Sequence, residues 1–162
     1  MKRVATLVTA AVAVTVIAGI LTTGGAAQVP GERTFTIIEG GAATFKVIDN
    51  PPKARNPGNP RFSPGDGFVF TSRLFNEANK RIGTNHVHCT VTHGGTFARA
   101  RGQCNSTFAL RDGTLAVSGL LRGENPAIAV VGGTGAYEGA RGTVTFRNLP
   151  RGRTEDTIHL LP

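Results

Sequence analysis

The sequence predicts an all-β domain, either a closed barrel or a two-sheet sandwich, and three observations carry that prediction. Beyond residue 27 the apolar residues alternate with polar ones in short runs, the pattern of strands with one buried face. Clusters of Gly, Asn and Asp separate those runs, as turns between strands require. No stretch of this region repeats its apolar residues at helical spacing, so no helix is available to cover a sheet edge. Closure into a ring is the simplest way to leave no edge open.

The first 27 residues stand apart from this pattern. Lys2 and Arg3 precede an uncharged apolar run over residues 4–21, and small residues follow up to Ala27. A basic start, an apolar middle and a small-residue end are the parts of a secretory signal peptide. The expectation is an export leader over 1–27, a single domain over 28–162, and a secreted chain that keeps no membrane span after cleavage. An uncleaved anchor is the competing reading, since the run is close to the ~20 residues a span requires.

From residue 28 onward, sixteen Lys and Arg face ten Asp and Glu, a net charge of +6. The arginines are scattered, and the chain has nine Phe, one Tyr and no Trp. A nucleic-acid surface calls for clustered cations interleaved with aromatic residues, so nucleic acid is not an expected partner. The charge is read as a solubilising exterior.

Residues 33–39 and 44–49 read as two strands of a first hairpin, parted by Gly40 and Gly41. Five prolines between residues 50 and 64 cannot donate to a central strand's ladder and mark a long loop. That loop is either a lid or an inert crossover. Strands are then expected over 67–75, 84–92, 103–110, 114–121, 127–131, 143–148 and 154–161. An Asp112-Gly113 pair marks one tight turn, and five glycines between residues 132 and 142 mark a closely packed connection.

Cys89 and Cys104 fall on consecutive strands. A hairpin centred in the loop 93–102 sets them directly opposite one another, within reach of a disulfide, and export supplies the oxidising compartment. The same register turns Val87, Cys89, Val91, Cys104, Ser106, Phe108 and Leu110 inward. It turns His86, His88, Thr90, Gln103, Asn105 and Thr107 to solvent.

No catalytic motif stands out. His86 and His88 lie two apart on one strand face, but without a carboxylate or thiolate beside them no metal site is expected. The Gly133-Thr134-Gly135 segment leads into a strand and offers no lysine, so it is no phosphate cradle. The polar residues placed to face the lumen or its mouth are Asp66, Ser72, Asn85, Tyr137, Glu138 and Arg141. An acid in an apolar cup would have a raised pKa and could donate a proton, a role open to Asp66 or Tyr137; with Arg141, whose place comes from the resemblance given below, these are the catalytic candidates. Phe68, Phe70, Ser72, Asn85 and Phe108 are the ligand-lining candidates. Blander roles compete with these: Asp66 shaping its turn and Tyr137 packing beneath the glycine loop.

The order Gly65-Asp66-Gly-Phe-Val-Phe-Thr, His88-Cys89-Thr90, Gln103-Cys104, Leu110-Arg-Asp-Gly113 and above all Gly132-Gly-Thr-Gly-x-Tyr-x-Gly-Ala-Arg-Gly142 resembles bacterial, secreted dirigent-like and allene oxide cyclase-like barrels. The resemblance implies an eight-stranded antiparallel closed β-barrel with an apolar cavity open at one end, assembled as a homodimer or homotrimer. It implies a small apolar or aromatic ligand, no cofactor, and an isomerase (cyclase) or dirigent-type guiding activity that works by holding a reactive molecule in a shaped pocket. The alternative is a non-catalytic extracellular or cell-surface barrel with a filled core. Cavity volume discriminates the two: a lumen packed solid with Phe68, Phe70, Val87, Phe108, Leu115, Val117 and Phe146 has no room for a ligand.

Overall fold

The computed structural model describes residues 31–51, 61–96, 99–122 and 127–162. The expected leader, most of the proline-rich stretch and the turn 123–126 lie outside the described residues. Among those described, strands dominate: β1 (Arg33–Glu39), β2 (Thr44–Ile48), β3 (Arg61–Phe62), β4 (Gly67–Phe75), β5 (Arg81–His93), β6 (Gly95–Thr96), β7 (Arg101–Leu110), β8 (Gly113–Leu121), β9 (Ala127–Gly135), β10 (Gly142–Leu149) and β11 (Arg153–Leu160). A single 3-10 turn at Pro150–Gly152 joins the last two. No helix among the described residues is long and apolar enough to cross a membrane.

Eight of these strands form one antiparallel ring in the order β1, β11, β10, β9, β8, β7, β5, β4. The ring closes where Ile38 and Glu39 of β1 pair with Phe75 and Leu74 of β4. Alternation along each strand decides what the ring encloses. On β7 the side chains of Cys104, Ser106 and Phe108 are buried, while Gln103, Asn105 and Thr107 between them are exposed, as a strand with one wet face requires.

The first two strands do not form the expected hairpin. β1 pairs with β11 and with the end of β4, and β2 pairs with the beginning of β4. Between them Gly40 N donates to Arg73 O (2.8 Å) and Ala43 N to Thr71 O (2.7 Å), so the chain keeps following one strand instead of reversing. Neither Gly40 nor Gly41 stands at positive φ, which a two-residue reversal would require. β2 is thus a ninth strand extending the seam, exposed along its whole length and paired on one side only.

The glycine-rich segment is a strand for longer than its composition indicates. β9 continues to Gly135 and pairs Gly132, Gly133, Thr134 and Gly135 with β8. The glycines are needed for close approach: a Cβ on Gly133 would lie 2.3 Å from Tyr137 O and 2.6 Å from Thr114 O. Gly135 stands at φ 61°, where its Cβ would lie 2.4 Å from Asp112 O. The connection then closes with Tyr137 N donating to Thr134 O (3.2 Å) and Ala140 N to Tyr137 O (3.0 Å).

β5 and β7 pair with Cys89 opposite Cys104, and the two form a disulfide with Cα atoms 4.1 Å apart. The lumen falls into two halves. At one end Ile37, Leu74, Phe108, Leu115, Val117, Val144, Ile158 and Tyr137 pack into a continuous apolar core, each large side chain stabilising the fold by about 1.5–3 kcal/mol. At the other end Phe62, Phe68, Val91 and the disulfide make a second, smaller cluster.

Candidate functional site

The second half of the lumen is hollow. A cavity of about 620 Å³ opens there, walled by Phe68 and Phe70 of β4, Val87, Cys89 and Val91 of β5, Cys104 of β7, Ile128 of β9 and Phe146 of β10. Phe45 of β2 and Phe62 of β3 complete the wall. Phe62 is carried in by the short pairing of β3 with β6. Phe45 stays 53% exposed, because β2 has no partner on its other side, and it packs against Phe68 and Phe70 with ring centroids 6.0 and 6.3 Å apart.

Between the packed half and the hollow half lies a polar belt. Ser106 of β7 donates through Oγ to Asn85 Oδ1 on β5. Asn85 Nδ2 donates to Glu39 Oε1 on β1 at 3.2 Å, and Ser72 Oγ of β4 donates to the same oxygen. All four residues are buried, and Glu39, Asn85 and Ser106 form the cavity floor. Beyond Glu39 stands Asp156 of β11, fully buried, in register with Ile37 of β1 and Phe146 of β10.

No N–H or O–H donor of the described residues reaches either Asp156 oxygen; the group it meets is the Glu39 carboxyl. Two carboxyls bond to one another only when one carries a proton. Burial, then the charge of Glu39 and the hydrogen bond to it, push the Asp156 pKa up to about 9. At neutral pH Asp156 therefore keeps its proton. The floor of an apolar cup thus has a transferable proton held behind Glu39.

The structure distributes the residues singled out in the sequence among the cavity, the packed half, a turn and the surface. Phe68, Phe70 and Asn85 line the cavity, and Ser72 supports its floor through Glu39. Phe108 belongs to the packed half. Asp66 is spent on the backbone, its Oδ1 accepting from Asn50 N (2.9 Å) and its Oδ2 from Ser63 N (2.7 Å). Tyr137 sits in the packed half, 6.3 Å from the Phe35 ring, with its pKa raised by burial and by Asp112. Arg141 is exposed and donates to Pro162 O, and Glu138 is exposed as well. The three catalytic candidates do not come together. His86 and His88 point outward from β5, with Thr84 Oγ1 3.1 Å from His86 Nε2, and no metal-binding cluster occurs among the described residues.

Glu39 and Asp156 escaped the sequence reading although a signal was present. Glu39 is in phase with Ile37 on β1, and Asp156 with Ile158 and Leu160 on β11. A carboxylate in the apolar phase of an alternating strand is a buried carboxylate.

The chain is thus an eight-stranded antiparallel barrel with one packed half and one hollow half. The family model of the allene oxide cyclase barrel like domain matches residues 44–160, and the chain belongs to that family. Among solved structures it is similar to a pyocyanin demethylase, at 21% identity with a TM-score of 0.66, over 80% of this chain and all of the other. It is also similar to the pterocarpan synthase dirigent protein PsPTS1 (17% identity, TM-score 0.62, 83% of this chain and 97% of the other). A third likeness is to AbnU, an exo-specific intermolecular Diels-Alderase (16% identity, TM-score 0.61, 80% and 97%). No curated protein matches in sequence. Likeness at these identities speaks for the fold.

Proposed function

We propose that this chain is an exported barrel that binds a small apolar or aromatic molecule in its hollow half and steers that molecule's cyclisation or coupling. The observation that carries the reading is the cavity of about 620 Å³, a size and an apolar character typical of small-molecule sites. A filled lumen would have favoured the non-catalytic interaction barrel instead. Confinement between the Phe45, Phe62, Phe68, Phe70 and Phe146 rings would fix one reactive conformer, and orientation alone can lower a barrier by several kcal/mol. Glu39 lines the cavity and Asp156 holds a proton behind it, so the floor can relay a proton to a guest. Asp156 does not itself line the cavity and acts through Glu39.

The apolar run before residue 22 and the disulfide support export, and assembly into dimers or trimers is a further part of the proposal. The cavity reading is tested by titrating the protein with the fluorophore ANS and repeating the titration with Val87→Trp, whose indole would occupy the hollow half. Saturable binding to the native protein, lost in the variant with its circular dichroism unchanged, is the expected outcome. Absence of saturable binding, or binding that Val87→Trp leaves intact, would overturn the proposal.

A further inference from the structure

Arginines that are scattered along the chain are gathered by the fold, because the connections of an antiparallel ring alternate between its two ends. Arg101 and Arg122 line the cavity at the hollow end. Arg61, Arg99 and Arg151 stand next in the chain to Phe62, Ala100 and Gly152, which line it too. Against these five stand Asp49 and Asp66, and Asp66 is buried with both oxygens taken by backbone N–H groups. Between described residues the ion pairs are Arg147 with Glu155 and Glu32 with His159, and neither involves these arginines. The packed end is nearly balanced, Glu32, Glu77, Asp112 and Glu138 offsetting the five Lys and Arg of its turns and chain ends. Charge is thus polarised along the barrel. At the hollow end Arg151 stands at φ 63°, where glycine or asparagine is the easier residue, so that turn presents its cation at a cost in backbone strain.

The same end leaves apolar side chains in water. Phe45, Val47 and Ile48 are 53, 40 and 39% exposed, consecutive large apolar residues of β2 interrupted only by Lys46, and β2 pairs on one side alone. Leu120, 42% exposed, stands two residues before Arg122 on the far side of the ring. Exposed apolar groups interleaved with cations mark an interaction surface. A soluble anion would satisfy the arginines and leave the apolar side chains wet. The surface of an anionic bilayer takes both: its phosphates pair with guanidinium groups, and apolar side chains enter the boundary beneath the headgroups.

We infer that the hollow end is a docking surface for an anionic phospholipid bilayer. Phe45, Val47, Ile48 and Leu120 enter the headgroup boundary, Arg61, Arg99, Arg122 and Arg151 lie on the lipid phosphates, and the packed end points away from the membrane. The contact is peripheral and needs no segment to cross the bilayer. It does not depend on what the cavity holds, so it can fail while the cavity reading stands, and the reverse.

The test is flotation with vesicles of phosphatidylcholine alone and of phosphatidylcholine with about one-third phosphatidylglycerol, in about 0.1 M salt. The native protein is expected to partition onto the anionic vesicles at least about tenfold more strongly. Two variants remove the same charge from opposite ends: Arg61→Gln, Arg99→Gln, Arg151→Gly at the hollow end and Lys80→Gln, Arg81→Gln, Arg111→Gln at the packed end. The first should lower partition about tenfold or more and the second less than about threefold. Val47→Ser with Ile48→Ser, whose charge is native, should lower it about fivefold. No preference for phosphatidylglycerol, equal losses from the two charge variants, or vesicle binding that the serine pair leaves intact would each overturn the inference. Binding to soluble polyphosphate that is tighter than binding to vesicles would overturn it in favour of a soluble anion. Should a variant lose its native circular dichroism, the ratio measured on the native protein decides alone.

Discussion

Asp156 keeps its proton because it is enclosed between strands β1 and β10, removed from water and placed against the Glu39 carboxyl. The unfolded chain has an ordinary carboxyl at this position and releases that proton near pH 4. A group whose pKa is raised on folding stabilises the fold fully below its unfolded value, and the contribution is lost as pH rises toward about 9. Asp156→Asn keeps a donor for Glu39 and removes the titration. The variant is expected to show a flatter dependence of its urea midpoint between pH 5 and 8, where the native protein loses stability with a slope of up to about 1.4 kcal/mol per pH unit from this group. Identical slopes in the two proteins would show that Asp156 is already ionised. At this scale the sequence was legible in phase but not in consequence. Alternation marks Ile37, Glu39, Asp156 and Ile158 as one inward set, whereas that Glu39 and Asp156 meet depends on β1 lying beside β11, a pairing across more than a hundred residues of chain.

Among the elements, the turn that ends β9 depends most on residue type. Gly135→Ala would put a Cβ where φ is 61° and within 2.4 Å of Asp112 O, and neither the backbone carbonyl nor the paired strand can retreat cheaply. A loss of about 2 kcal/mol or more in chemical unfolding is expected, against a smaller loss of about 1 kcal/mol for Gly139→Ser, whose site is open but also at positive φ. The β5–β7 ladder is the other element with a direct test. Its disulfide closes a separation of 15 residues, for which loop-closure entropy predicts about 3 kcal/mol. The double variant Cys89→Ser, Cys104→Ser should lose about that much while keeping its strand signal in circular dichroism; an unchanged urea midpoint would show that the ladder holds without the link. The register of this ladder was legible because both its cysteines and its alternation fall in one phase. The β1–β2 connection was not, because a Gly-Gly pair reads as a reversal whether or not the chain turns, and only the shared partner β4 shows that it runs on.

For the whole molecule, closure and emptiness are separate properties. Alternation specifies an inside, and a chain without helices is driven to close its edges. Whether the inside is filled depends on which side chains meet across the ring. Phe108, Leu115 and Val117 meet Ile37, Val144 and Ile158 and exclude everything else. Phe68, Phe70 and Phe146 were equally eligible to fill the other half. Phe68 and Phe70 lie against its wall on the far side of the belt of Glu39, Asn85 and Ser106, beside a β2 with no partner beyond Phe45, while Phe146 lines the cavity and also packs on the filled core. The two halves make the account's central claim measurable in one spectrum. With the valine, leucine and isoleucine methyl groups labelled and 10-methylacridone added, the resonances of Val87, Val91 and Ile128 should shift while those of Leu115, Val117, Val144 and Ile158 stay in place. Shifts spread evenly over both sets, or confined to the second, would contradict a barrel that is solid at one end and hollow at the other.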